Sequence, residues 1–318
     1  MADNGHETSS AGHPEGPLPP TELDAAAGGA GGSWYLLLEG LAALVREVNP
    51  SIRIRVVEGG GVMNHALVGS GQLPAAILNP PMTVAALAGA EPYDRAYPDL
   101  RVGIANLTVS HLQLVVRSDV PLESLDDWAE RRYPLRIPVD RTGTVDRLVF
   151  ERALGYVGIS EPLLEQWGGA LVPAANYHEQ LTLYEQGRVD GLWQFMGIPS
   201  PSIEAANAIR PLKGLSLPRT LIDELSRRGW VAAQLPAGAY GAIDRAIPTV
   251  AMGTSLGFHA AVPDAVVFAI VSAICDRAER VREIHAAAAR FDAADACRDP
   301  EGPFHPGAAE YFKLRGLL

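Results

Sequence analysis

Glycine clusters set between short strand patterns and amphipathic helix patterns constrain this chain more than any other feature. Gly28, Gly29, Gly31 and Gly32 precede residues 34–48, where Leu38, Leu41, Val45 and Val48 recur at a helical spacing. Ser33 stands where it can cap that helix. Beyond Asn49-Pro50, Ile52, Ile54 and Val56 alternate with arginines, which is a strand pattern. Gly59, Gly60 and Gly61 lead into a second helix over about residues 62–69. The run Ala75 to Leu78 then reads as a short buried strand ending in the turn Asn79-Pro80-Pro81. Strand, glycine turn, helix and strand in this order predict a doubly wound α/β sheet.

The same plan recurs downstream. Residues 102–107 and 112–116 read as two strands, and Ser124 with Asp127 fits a capping arrangement. A strand over 135–139 leads through Asp140-Arg141-Thr142-Gly143-Thr144 into a helix that reaches Leu154. Further helices are predicted over 177–186 and around Ile203 and Leu221, with strands over 189–195, 231–235 and 246–257. Long helices are expected over 262–280 and 281–291. Two lobes are therefore expected: residues 21–112 with 250–318, and residues 113–249, behind a disordered tail over 1–20. One larger α/β domain with an excursion satisfies the same pattern. The 318 residues are enough for two cores.

Composition narrows the function. A formal charge of −11 argues against a broad nucleic-acid surface, while a few donors inside a cleft can still hold an anion. The histidines form no HExxH or other tight ligand set, so neither a metal nor any other cofactor is expected. Cys275 and Cys297 show no metal spacing and read as free small residues, with a single bond between them as the other reading. The first twenty residues lack the apolar core of an export signal, so the chain as written is expected in the cytoplasm.

The candidate binding segments are strand-to-helix loops. At Gly32-Ser33, backbone N–H groups and a helix N-terminus favour negative charge, and Trp34 and Tyr35 offer a flat wall; a tight turn with a Ser cap is the plainer reading. It is not a nucleotide fingerprint, because neither GxGxxG nor a phosphate-loop lysine is present. In the loop of Arg141, Thr142, Gly143 and Thr144 the hydroxyls can donate and the guanidinium can grip a carboxylate; an ordinary Thr cap with a solvent-facing arginine is the alternative. Phe195 at a strand end can cover apolar ligand atoms or pack into a core. Asn79 can supply a donor and an acceptor or simply form the turn. Glu39, Asp140, Asp190 and His259 can be imagined as acid or base groups, but their spacing selects none of them.

Taken together these segments resemble the TAXI-type solute receptors of TRAP transporters, which have the type II periplasmic-binding-protein fold, over roughly residues 21–315. The resemblance is carried by Gly31-Gly32-Ser33-Trp34-Tyr35, by Gly71-Gln72-Leu73-Pro74-Ala75-Ala76-Ile77-Leu78-Asn79-Pro80, and by Val139-Asp140-Arg141-Thr142-Gly143-Thr144. It continues in Leu183-Tyr184-Glu185-Gln186-Gly187-Arg188-Val189-Asp190-Gly191, in Phe195-Met196-Gly197-Ile198-Pro199-Ser200-Pro201, and in His305-Pro306-Gly307-Ala308 followed by Tyr311-Phe312. Pro74 departs from that family's Asp, Asn79-Pro80 from its usual polar pair, and Arg141 intrudes in the second loop. The resemblance implies two lobes that close over a small carboxylate, dicarboxylate or amino-acid-like. It implies TRAP membrane subunits as partners, and a periplasmic location, if the chain is exported. Related bilobed folds also host decarboxylases of aromatic acids. In that alternative Arg141 would hold a carboxylate, and His65, His111 or His259 would be candidate proton donors or metal ligands.

Overall fold

A computed structural model of the chain describes residues 18–241 and 243–318. The expected disordered tail therefore lies, up to residue 17, outside the described residues. The strands are β1 (Thr21–Ala26), β2 (Ile52–Val57), β3 (Ala75–Leu78), β4 (Leu100–Arg117), β5 (Arg136–Val139), β6 (Ala170–Pro173), β7 (Gly191–Met196), β8 (Leu212–Gly214), β9 (Val231–Leu235) and β10 (Ile247–His259). Eight of them form one sheet in the order β2-β1-β3-β10-β4-β7, with β8 added on β4 and β9 on β10; β5 and β6 pair by themselves.

The glycine-punctuated N-terminal half forms as its pattern dictates. β1 pairs in parallel with β2 from Thr21↔Ile52 to Ala26↔Val57, and with β3 on its other side. The helix Ser33–Val48 crosses over between β1 and β2, burying Leu37, Leu38, Leu41, Leu44 and Val45. Those side chains join Ile52, Ile77, Phe258, Val267 and Val271 in one apolar cluster. Each such fully buried aliphatic side chain contributes about 1.5–3 kcal/mol.

β4 and β10 carry the sheet from one lobe to the other. The C-terminal end of β10 pairs with β3, its N-terminal end with β9, and its stretch from Ala251 to His259 with β4. The C-terminal end of β4 pairs with β7 and β8. The two strands predicted over 102–107 and 112–116 are thus one strand of 18 residues. Polar residues between them suggested a break, but Thr108 faces Thr254 across the ladder, their hydroxyl oxygens 2.6 Å apart and both side chains buried. A register shift beside Thr254 and a positive φ of 51° at Asn106 mark a local bend in this pair of strands. A second apolar cluster runs beneath both lobes, from Leu78 and Met82 to Trp128, Phe150, Trp193 and Trp230. A third packs Tyr184, Leu192, Ile203 and Ile247.

Three local expectations are corrected. Asn79-Pro80-Pro81 is no simple turn: Asn79 caps the helix Pro80–Ala88, its Oδ1 accepting from the Met82 N–H, with proline at the first helical position. The long helix expected over 262–280 breaks at Asp276. The carboxylate of Asp276 accepts from Ser272 Oγ (3.1 Å), Tyr311 Oη (2.7 Å) and Arg315 Nη2 (2.6 Å), and the backbone leaves the helix at Arg277. The helix expected over 281–291 is instead the end of Ala278–Ile284 followed by the short turn Ala286–Ala288. Cys275 and Cys297 are both free.

Candidate functional site

The loops that follow β1, β2, β5 and β6 converge on one cavity of about 390 Å³. All four leave the carboxyl ends of parallel strands, where open α/β sheets bind their ligands. From one side come residues 28–34 and Gly59, Gly60 and Gly61; from the other, Asp140, Arg141, Thr144, Val145, Asp146 and residues 175–178.

Glycine is required where the two sides touch. A Cβ on Gly60 would stand 2.7 Å from the Gly143 carbonyl oxygen. That carbonyl accepts from the Val62 and Met63 N–H groups at 3.1 and 3.3 Å. Arg141 reaches across in the same place, Nη2 donating to the Gly59 carbonyl at 2.6 Å. Its guanidinium thus latches one loop to the other.

The helix Ser33–Val48 opens into this cavity without a side-chain cap. The residue at its N-cap is Gly32, and Ser33 is its first helical residue rather than the cap. Leu36 N–H bonds to Gly32 O, while the N–H groups of Ser33, Trp34 and Tyr35 have no partner among the described residues. Ser33 Oγ meets only Met196 Sδ at 3.4 Å, a weak acceptor. Free N–H groups on a helix of 16 residues, with its positive dipole end, suit an anion.

The second loop is built differently. Thr144 caps the helix Val145–Tyr156: its hydroxyl accepts from Arg147 N–H and donates to Arg141 O. Two carboxyl groups flank it. Asp146 is 9% exposed, and its Oδ1 accepts from Tyr177 Oη at 2.6 Å and from Phe195 N–H at 2.8 Å. Burial, with the charge of Asp140 second, pushes its pKa up to about 7. Burial raises Asp140 to about 6, although Asp140 Oδ1 accepts from Arg141 N–H. Burial also raises the Tyr177 hydroxyl well above its ordinary range, which keeps it a donor.

Of the residues predicted for binding, Gly32, Ser33, Trp34, Arg141, Thr144 and Phe195 line the cavity. Tyr35, Asn79, Thr142 and Gly143 do not. Tyr35 packs on the core cluster beneath the helix. Asn79 is fully buried, its Nδ2 donating to Gly61 O at 2.8 Å. Thr142 is exposed, and Gly143 supplies the left-handed turn at φ +91°. His65, His111 and His259 stand apart from the cavity. Burial lowers His65 to about 3, and its Nε2 sits 3.1 Å from Thr83 Oγ1. His259 Nδ1 accepts from Ala261 N–H at the far end of β10. Asp190 is an ion-pair hub for Arg117 and Arg136. Sequence reasoning missed Asp146, Tyr177 and the Gly59–Gly60–Gly61 wall; the signal for the first was an acid two residues beyond a Thr cap. Among the described residues no group of acids, histidines or cysteines is placed to hold a metal, and no helix is long and apolar enough to cross a membrane.

Residues 25–316 match the NMT1-like family. The chain belongs to that family. Solved structures similar to this NMT1-like protein include two with a bound dicarboxylate and a periplasmic binding protein. MatC of Rhodopseudomonas palustris, with bound malate, is 14% identical with a TM-score of 0.53, covering 94% of this chain and 97% of that one. An adipate-bound protein of the same organism is 17% identical with a TM-score of 0.53, covering 94% and 96%. The periplasmic binding protein BugD is 14% identical with a TM-score of 0.52, covering 94% and 99%. No curated protein matches the sequence. At these identities the likeness concerns the fold: this NMT1-like chain has the two-lobed architecture of periplasmic binding proteins.

Proposed function

We propose that the protein is a solute receptor that captures a carboxylate-bearing metabolite in the interlobe cavity, as receptors of TRAP transporters do. One observation carries the reading: the uncapped N-terminus of Ser33–Val48 opens into a cavity formed by loops of both lobes, with Ser33 Oγ free of a strong partner. Malate and adipate in the similar structures support the same ligand chemistry by analogy. Residues 21–112 with 250–318 and residues 113–249 are proposed as the units that close on the solute, bending where β4 and β10 cross. Delivery would be to TRAP membrane subunits, from outside the cytoplasmic membrane.

Isothermal titration of the full chain against a panel of small carboxylates tests this. At least one acid should bind with micromolar affinity and be recovered chemically unchanged. Ser33→Ala should weaken it by about tenfold, the loss of a hydrogen bond to a charged group. A panel without a binder, or a binder indifferent to the Ser33 change, overturns the proposal.

A further inference from the structure

The charges that line the cavity do not suit a ligand that is anionic at both ends. Facing the helix N-terminus are two carboxyl groups, Asp140 and Asp146, and the only guanidinium among the described lining residues is Arg141, already tied to Gly59 O at 2.6 Å. Asp146 is nine-tenths buried, and both donors that hold it, Tyr177 Oη and Phe195 N–H, reach the same oxygen, Oδ1. No hydrogen bond from the described residues reaches Oδ2, although Asp146 lines the cavity. Tyr177 and Phe195 hold Oδ1, which leaves Oδ2 as an acceptor in a chamber whose lining mixes apolar side chains with Ser33, Ser110, Asn176 and Ser202. That chamber is walled by Trp34, Leu36, Leu181 and Phe195. Two histidines, His178 and His285, also line it; His285 Nδ1 accepts from Ala287 N–H, and burial lowers its pKa.

We infer that Asp146 is the specificity-determining residue of the cavity and selects a solute that carries a protonated nitrogen besides its carboxylate, with an apolar body: an amino acid with a large apolar side chain rather than a dicarboxylate. This rests on the carboxylate reading above for the anionic pole and adds the cationic one. A cavity-facing carboxylate oxygen with no protein donor is satisfied by an ammonium, which offers three donors and a compensating charge. A second carboxylate there would meet the like charges of Asp140 and Asp146. The aromatic faces of Trp34 and Phe195 favour both the apolar body and a nearby cation.

The test titrates the full chain at pH 8 with L-phenylalanine, 3-phenylpropanoate, 2-phenylethylamine and adipate. Phenylalanine should bind at least tenfold more tightly than 3-phenylpropanoate, which lacks only the amine, and adipate should be weaker than phenylalanine. Asp146→Asn, which keeps an acceptor for Tyr177 and Phe195, should cost phenylalanine at least tenfold and leave 3-phenylpropanoate within threefold. Equal affinities for phenylalanine and 3-phenylpropanoate, or preferred binding of adipate, would overturn the inference and leave the carboxylate reading intact. Binding of 2-phenylethylamine as tightly as phenylalanine, with 3-phenylpropanoate and adipate unbound, would instead overturn the carboxylate reading while keeping the role of Asp146. Absence of phenylalanine binding at millimolar concentration also overturns the inference, and this comparison on the unsubstituted protein does not depend on how the variant folds.

Discussion

Replacing Asp146 with asparagine should stabilise the ligand-free protein, and by an amount that depends on pH. The folded-state pKa of about 7 lies above the ordinary value of 3.8, and burial is the first cause. Between those two values the unfolded chain has lost its proton while the folded chain holds it, so stability falls as pH rises. The penalty is absent below about pH 4 and complete above about pH 7. Three pKa units correspond to about 4 kcal/mol at most, since each unit is worth about 1.4 kcal/mol. Asparagine never ionises and keeps the Oδ1 acceptor that Tyr177 Oη and Phe195 N–H use. The melting temperature of Asp146→Asn relative to the parent should therefore rise from pH 4.5 to pH 8 and then level off. At about 2–4 °C per kcal/mol for chains of this order of size, the full effect is on the order of 10 °C. Differential scanning fluorimetry across that range reads it directly. A melting difference that is flat in pH, or that shrinks toward pH 8, would refute the claim that Asp146 is a desolvated acid. Asp140, raised to about 6, titrates in the same window, so Asp140→Asn should show a smaller trend of the same sign.

Two further outcomes follow from the packing. Gly60→Ala would set a Cβ 2.7 Å from Gly143 O, so the two loops must part by several tenths of an ångström; ligand affinity measured by titration should drop at least tenfold, and unchanged affinity would mean that this contact is not part of the bound form. Leu41→Ala, at a fully buried position under the helix that opens into the cavity, should cost about 2–5 kcal/mol in urea unfolding; a cost under about 1 kcal/mol would contradict the packing of that helix.

Much of the fold was legible because local signals and tertiary demands agree. Ala75–Leu78 and Val231–Leu235 fall where apolar runs and flanking turns place them, and Ser124 caps its helix through Asp127 N–H as its spacing implies. Legibility ended where distant partners decide. Thr108 and Ser110 look like a gap between strands until β10 supplies Thr254 and Met252 opposite them. The helix after Asp264 stops because Tyr311 and Arg315, some 35 and 39 residues on, claim Asp276. In the cavity, the glycines and Ser33 announced a strand-to-helix loop. The chemistry of the second loop was hidden, because Thr144 is occupied in capping and the free acceptor belongs to Asp146, whose burial depends on Tyr177 and β7.

The way β4 and β10 run through both lobes bears on how this protein can be divided. The proposed lobe boundaries, residues 112–113 and 249–250, fall inside β4 and β10, so both proposed crossings carry ladder hydrogen bonds. A cut there would leave each piece with half-length strands whose exposed edges invite pairing with other chains. The proposed lobes are therefore not interchangeable modules. A chimera that borrows a binding cavity from one relative and a docking face from another would have to transplant both long strands entire, together with the apolar cluster that spans Leu78 to Trp230 beneath them.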